Sequence, residues 1–228
     1  MSEFLPQQKY QVRFDVGLAG FQALAENADV IILADALPTV GFPPAIPAAG
    51  EASPATSASP APAASATTAP APPAASADVA ATRFGAQLVI VADLGNPERV
   101  AEWVLARQAE KADRFSVAVI AVGEQRPDGT VRPAVEDFLL AGSVIDELSR
   151  LGIDHCSPEA AAPSAGFLGL SRALRHLVLA SETAAALSAA GRGDEVRVAV
   201  DLARPHAPKD AARQSAAIVA VREFRFPA

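Results

Sequence analysis

Short, largely apolar runs recur along the chain at residues 30–34 ("VIILA"), 88–92 ("LVIVA"), 117–122 ("VAVIAV") and 196–200 ("VRVAV"). Each has strand length and is rich in valine and isoleucine. Such near-continuous hydrophobicity suits strands covered on both faces. A shorter strand is expected at residues 10–14 and another within 216–226 ("AAIVAVREFRF"). Helical patterns fall between them, at residues 18–28, 97–111 and 133–151, with one or two more within 157–190. In the third, Phe138, Leu139, Gly142, Ile145 and Leu148 recur at three- and four-residue steps, while Asp146, Glu147 and Arg150 take the other face. Pro133 suits the first helical turn, where its missing N–H costs nothing. Buried strands alternating with amphipathic helices predict an α/β fold: a three-layer α/β/α domain with a largely parallel or mixed sheet.

One segment breaks this rhythm. Residues 43–80 ("PPAIPAAGEASPATSASPAPAASATTAPAPPAASADVA") are nearly all Pro, Ala, Ser and Thr, without periodicity. The composition cannot bury enough surface to offset its ordering entropy, so it is expected to be a disordered, low-complexity insertion. The segments on either side read as one domain spanning residues 1–228.

Composition narrows the function classes. The formal net charge of −7 argues against a nucleic-acid partner. No window approaches a membrane span, and the N-terminus "MSEFLPQQKYQVRF" has no apolar signal core, so the expectation is a cytoplasmic protein without a membrane partner. The single cysteine, Cys156, excludes an intrachain disulfide and a thiolate zinc cluster, and reads as a small buried hydrophobe.

Acids follow the expected strands: Asp35 after "VIILA", Asp93 after "LVIVA", Glu124 after "VAVIAVG" and Asp201 after "VRVAV". Ligands of open α/β sheets bind at the carboxyl ends of the strands. Hard oxygen ligands without histidine or thiolate partners suit Mg²⁺. Acids at these positions also serve as ordinary turn and cap residues. Next to Glu124, Arg126 and Arg132 are able to clamp an anion, and the helix start after Pro133 offers free N–H groups. Glu136 and Asp137 in its first turn complement the helix dipole in any case. The histidines, His155, His176 and His206, lack metal-ligand spacing.

The stretch "VAVIAVGEQRPDGTVRPAVEDFLLAGSVIDEL" resembles the 2-phosphosulfolactate phosphatase family (ComB-like proteins), especially its actinobacterial branch, where a "GER-PDG-RPA-ED-GAG" segment follows a strand. The similarity extends in order through "YQVRFDVGLAGFQALAENADVIILADAL", "ADLGNPERVAEWVLARQ", "SPEAAAPSAGF" and "SETAAALSAAGRGDEVRVAVDL". It implies a Mg²⁺-dependent phosphatase releasing phosphate from 2-phosphosulfolactate or a related small phosphorylated acid. On that resemblance Asp35 and Glu124 are the catalytic and metal-binding carboxylates. Asn96, Arg126, Arg132, Glu136 and Asp137 line or support the substrate site. Nothing in the resemblance excludes a homo-oligomer.

The departures raise a second expectation. Pro38 stands where the family has a polar residue after Asp-Val-Leu, Gly95 replaces an arginine, and Gln125 replaces the arginine of "GER". The family's Asn-Gly-Ser/Thr turn has no counterpart. A site that has lost preorganised donors loses rate steeply, about 10²–10³ for each. The alternative is therefore a catalytically impaired paralogue that binds a metabolite or a protein.

Overall fold

The computed structural model describes residues 6–38, 46–47, 82–83, 88–126, 128, 130–203, 218, 220–224 and 226. Its strands are β1 (Val12–Val16), β2 (Val30–Ala34), β3 (Ile46–Pro47), β4 (Thr82–Arg83), β5 (Leu88–Ala92), β6 (Val117–Ala121), β7 (Glu124–Gln125), β8 (Val131–Arg132) and β9 (Val221–Phe224). Its helices are α1 (Gly17–Ala25), α2 (Pro97–Lys111), α3 (Val135–Arg150), α4 (Pro158–Leu170), α5 (Leu174–Leu179), α6 (Glu182–Ala189) and α7 (Gly193–Leu202).

The main sheet is parallel throughout, in the order β1-β6-β2-β5. Successive side chains of β2 serve opposite cores. Val30, Ile32 and Ala34 pack with Val100, Ala101 and Val104 of α2, whereas Ile31 and Leu33 pack with Phe21, Leu24 and Ala25 of α1. A strand with two buried faces has no polar positions to alternate, which explains the unbroken apolar runs. The connection from β1 to β2 crosses the sheet in one direction and that from β5 to β6 in the other. Crossovers of the same right hand then place α1 and α2 on opposite faces, as the two cores require. The fold is therefore α/β with helices on both sides of the sheet. On the α1 face, β3 and β4 flank β9 antiparallel, and Val221 and Phe224 of β9 share the core with Phe21.

Both borders of the main sheet are occupied. Along β1, Val12 forms a parallel bridge with Cys156, and the Ser157 N–H donates to the Val12 carbonyl at 2.9 Å. Along β5, Ile90 forms an antiparallel bridge with Ala220.

Two expectations need correction or lie out of reach. Residues 196–200 are not a strand but the middle of α7. Val196 and Val200, one helical turn apart, are buried, while Val198 between them is 55% exposed. A run of β-branched residues reads as a strand by composition, yet its core contacts, Val196, Ala199 and Val200, follow a helical period, and packing overrides propensity. The expected disordered tract, 43–80, lies outside the described residues except for β3. Residues 157–190 hold three α-helices, α4, α5 and α6, where one or two were expected. The other differences among the expected elements are of boundaries: the first strand runs Val12–Val16, and α3 begins at Val135 with Pro133 two residues ahead of it.

α3 carries the residues that link core and site. Leu140, Ala141, Val144, Ile145 and Leu148 face the α2-side core. Gly142 meets α4 so closely that an added Cβ would lie 2.0 Å from the Pro163 carbonyl oxygen.

Candidate functional site

β1 and β6 are neighbours, but the chain leaves β1 for α1 on one face and leaves β6 for α3 on the other. Such a divergence marks the position, at the carboxyl ends of the strands, where open α/β sheets bind ligands in a crevice. Glu124 follows β6 into this region. Asp35 follows β2, which lies on the other side of β6. Gly123 makes the turn out of β6 with φ +76, and a Cβ there would come within 2.9 Å of the Arg132 carbonyl oxygen. Glycine is required both for its conformation and for the close return of the β7–β8 hairpin.

The start of α3 is fastened to the two strand ends by one side chain. Asp137, 3% exposed, accepts the Ala36 N–H through one carboxylate oxygen at 2.8 Å and the Gly123 N–H through the other, also at 2.8 Å. Those amides follow β2 and β6 and have left the sheet ladder, so Asp137 supplies the partners they would otherwise lack. Its role in this geometry is to position the residues on either side of each amide, Asp35 and Glu124 among them.

The remaining acids crowd the same place. Burial, reinforced by the charges of Glu124 and Glu136, pushes the Asp35 carboxyl up to about 7. Burial and then Glu136 push Glu124 up to about 7, with Arg132 pulling the other way. Asp137 is held well above the ordinary carboxylate range by burial, then by Asp35 and Glu136, and its two amide bonds do not offset this. Glu136 is 1% exposed and neither of its carboxylate oxygens has a hydrogen-bond partner. Asp35, Glu124 and Asp137 each face the charge of Glu136, and among their charged neighbours Arg132 alone pulls the other way, on Glu124. A cluster of this kind holds protons or takes up a cation.

Arg132 borders the cluster. Its guanidinium donates to the Thr183 hydroxyl at 3.0 Å and lies 3.4 Å from Glu182, both at the start of α6. Thr183, 3% exposed, and Glu182 were not among the expected site residues. The "SET" of residues 181–183 is the signal that marks them, because it is a helix-cap pattern: Ser181 accepts the Ala184 N–H at 3.2 Å.

Other expected residues are used locally. The Asn96 side-chain oxygen accepts the Asp93 N–H at 3.0 Å, and Asp93 in turn accepts the Gly95 N–H at 2.7 Å, which closes a turn after β5. Arg126 donates to the Val131 carbonyl at 2.9 Å and so ties together its own exposed hairpin. Asp128 accepts the Thr130 N–H at 3.0 Å and hydroxyl at 2.7 Å, as a turn acid does. Asp201 sits on α7, 3.8 Å from Arg175, and not at a strand end. Of the expected set, Asp35, Glu124, Arg132, Glu136 and Asp137 come together, while Asn96 and Arg126 are engaged in their own turns.

The donor set suits a hard cation: carboxylate oxygens only, with two orphaned and buried on Glu136. Among the described residues no three His, Cys, Asp or Glu side chains form a ready metal-holding group. A Mg²⁺ ion here would use one or two carboxylates and complete its shell with water and substrate oxygens, as it commonly does. Among the described residues no helix is long and apolar enough to cross a membrane. No protein-family model matches the chain, and no curated protein matches it either.

Proposed function

We propose that the chain is a Mg²⁺-dependent phosphatase acting on a small phosphorylated acid, 2-phosphosulfolactate or a close relative. The observation that carries this reading is the meeting of Asp35 and Glu124, both pushed up to about 7, beside the buried Glu136 at the carboxyl ends of two central parallel strands. The order of motifs resembling the 2-phosphosulfolactate phosphatase family supports the same class. Asp35 and a second carboxylate of the cluster would hold the cation, which would neutralise phosphoryl oxygens. Glu124, more open than its neighbours and titrating near neutrality, is suited to take and return a proton. Arg132, braced by Thr183, offers a guanidinium to an anionic oxygen. Asp137 keeps the strand ends and the helix start in register.

Phosphate release from racemic 2-phosphosulfolactate and a panel of phosphorylated hydroxy acids tests the reading, with Mg²⁺, with EDTA and with Asp35→Asn. Turnover is expected only with Mg²⁺ and is expected to fall at least about 10²-fold in the variant. No release above that of the variant, from folded protein, would reject it. The engagement of Asn96 and Arg126 in their own turns favours a second reading, a module that binds a phosphorylated acid without hydrolysing it. Calorimetric binding of the same acids without turnover would select that reading.

A further inference from the structure

We infer that Glu136 is a direct ligand of the cation at this site, with Asp35 as its partner. The inference rests on the reading of the crevice as a cation site, and not on phosphatase activity.

A glutamate at the second position of a helix ordinarily extends into water, where it complements the dipole at little cost. Glu136 does the opposite. It is 1% exposed, and both carboxylate oxygens lack a donor. The donors that this end of α3 brings close are already taken, because the Ala36 and Gly123 amides are bonded to Asp137. Three acids, Asp35, Glu124 and Asp137, feel the charge of Glu136. Burying an unpaired carboxylate among like charges is among the costliest arrangements a fold can hold, and it is relieved by a proton or by a cation.

The accounting of oxygens selects the pair. Each oxygen of Asp137 is committed to an amide. Glu124 shares the field of Arg132 and sits in the more open hairpin. Asp35 and Glu136 remain, which is the number of carboxylates Mg²⁺ commonly takes while keeping several waters. Glycine, serine and amide groups are not needed to explain the site, and no nitrogen or sulfur ligand competes for a softer metal.

The test uses the full chain, Mg²⁺ and Mn²⁺ alone, and no substrate. Wild-type protein is expected to melt several degrees higher in millimolar Mg²⁺ than in EDTA, and to bind Mn²⁺ by electron paramagnetic resonance titration. Glu136→Gln is expected to melt higher than wild type in EDTA, because a buried repulsion is gone. It is also expected to lose the Mg²⁺-dependent rise and at least tenfold in Mn²⁺ affinity. Glu136→Asp, which keeps the charge but withdraws the oxygens, is expected to weaken Mn²⁺ without the gain in EDTA. Unchanged Mn²⁺ affinity in Glu136→Gln, a lower melting temperature in EDTA, or no Mn²⁺ binding by wild type would each overturn the assignment. Cation binding lost in the variant, from a protein that releases no phosphate, would uphold the ligand and reject the phosphatase.

Discussion

Raising the pH from about 5 to about 8 is expected to destabilise the cation-free protein. Most domains owe acid-side losses to carboxylates held below their ordinary range. Here Asp35 is raised from 3.8 to about 7 and Glu124 from 4.5 to about 7. Below their ordinary values both groups are protonated in folded and unfolded chains alike, so they cost nothing. As pH climbs towards 7 the unfolded chain gives up protons that the folded chain retains, and stability falls. Above 7 the folded groups ionise as well and the loss is complete. For Asp35, raised from 3.8 to about 7, the whole loss is on the order of 4 kcal/mol, of which roughly 3 kcal/mol falls between pH 5 and 8. Glu124 adds less than its own shift implies, because it is partly open to solvent and shares its repulsion with the same cluster. Asp29, lowered overall by its bonds to Lys111 and Ser116 although burial opposes them, acts in the opposite sense, but its contribution is already complete below this window. Urea unfolding in EDTA at a series of pH values measures the profile. Asp35→Asn should flatten it and stabilise the protein at pH 8. A stability that is level or rising between pH 5 and 8 would show that the crevice does not hold these carboxyls as described.

Gly142→Ala is expected to be the most damaging single-methyl change in the helical layer. The added carbon would lie 2.0 Å from the Pro163 carbonyl oxygen, 2.6 Å from its carbonyl carbon and 2.9 Å from the Phe167 Cβ. The first two are backbone, so no rotamer relieves the contact and α3 must move away from α4. Glycine to alanine inside a helix would otherwise gain about 0.5–1 kcal/mol. Overpacking of a close interface typically costs 1–3 kcal/mol, and backbone on backbone belongs at or beyond the upper end. A net loss of roughly 2 kcal/mol or more follows, which for a chain of this size lowers the melting temperature by at least about 4–8 °C. Gly166→Ala is the control: its added Cβ would meet the Phe138 ring edge at 3.0 Å, and an aromatic side chain is able to turn aside. Equal melting temperatures for the two variants would contradict the account. Since α3 also carries Glu136 and Asp137, Gly142→Ala should weaken cation binding as well.

Much of this was legible in the residues themselves. The strands at Val30–Ala34 and Leu88–Ala92 and the helix at Pro97–Lys111 have the bounds that their apolar periods imply, because burial on two faces or on one stripe writes itself directly into sequence. Residues 196–200 failed for the converse reason. Their valines satisfy a strand's composition, whereas Val196, Ala199 and Val200 reach the core at three- and four-residue steps, a period too brief in so short a run to outweigh that composition. The sequence marked Asp35, Asp93 and Glu124 alike as acids after buried strands, and packing alone separates Asp93, which closes a turn, from the other two. That Asn96 and Arg126 are bonded within their own turns was not legible, because a side chain beside free backbone groups bonds to those first. The bracket formed by Asp137 was beyond sequence reasoning, since it joins amides 14 and 101 positions away in the chain.

The occupied borders of the main sheet bear on how copies of this chain can meet. An open strand edge is a template on which a second molecule adds its own strand, and aggregation commonly starts there. With Cys156 and Ser157 laid along β1 and Ala220 along β5, the principal sheet presents little such template on either side. Among the described residues, main-chain pairing at the edges of the main sheet is thereby disfavoured, a limit that does not extend to the β3-β9-β4 sheet or the β7–β8 hairpin. Fibril growth templated by the main sheet would first have to open those two bridges.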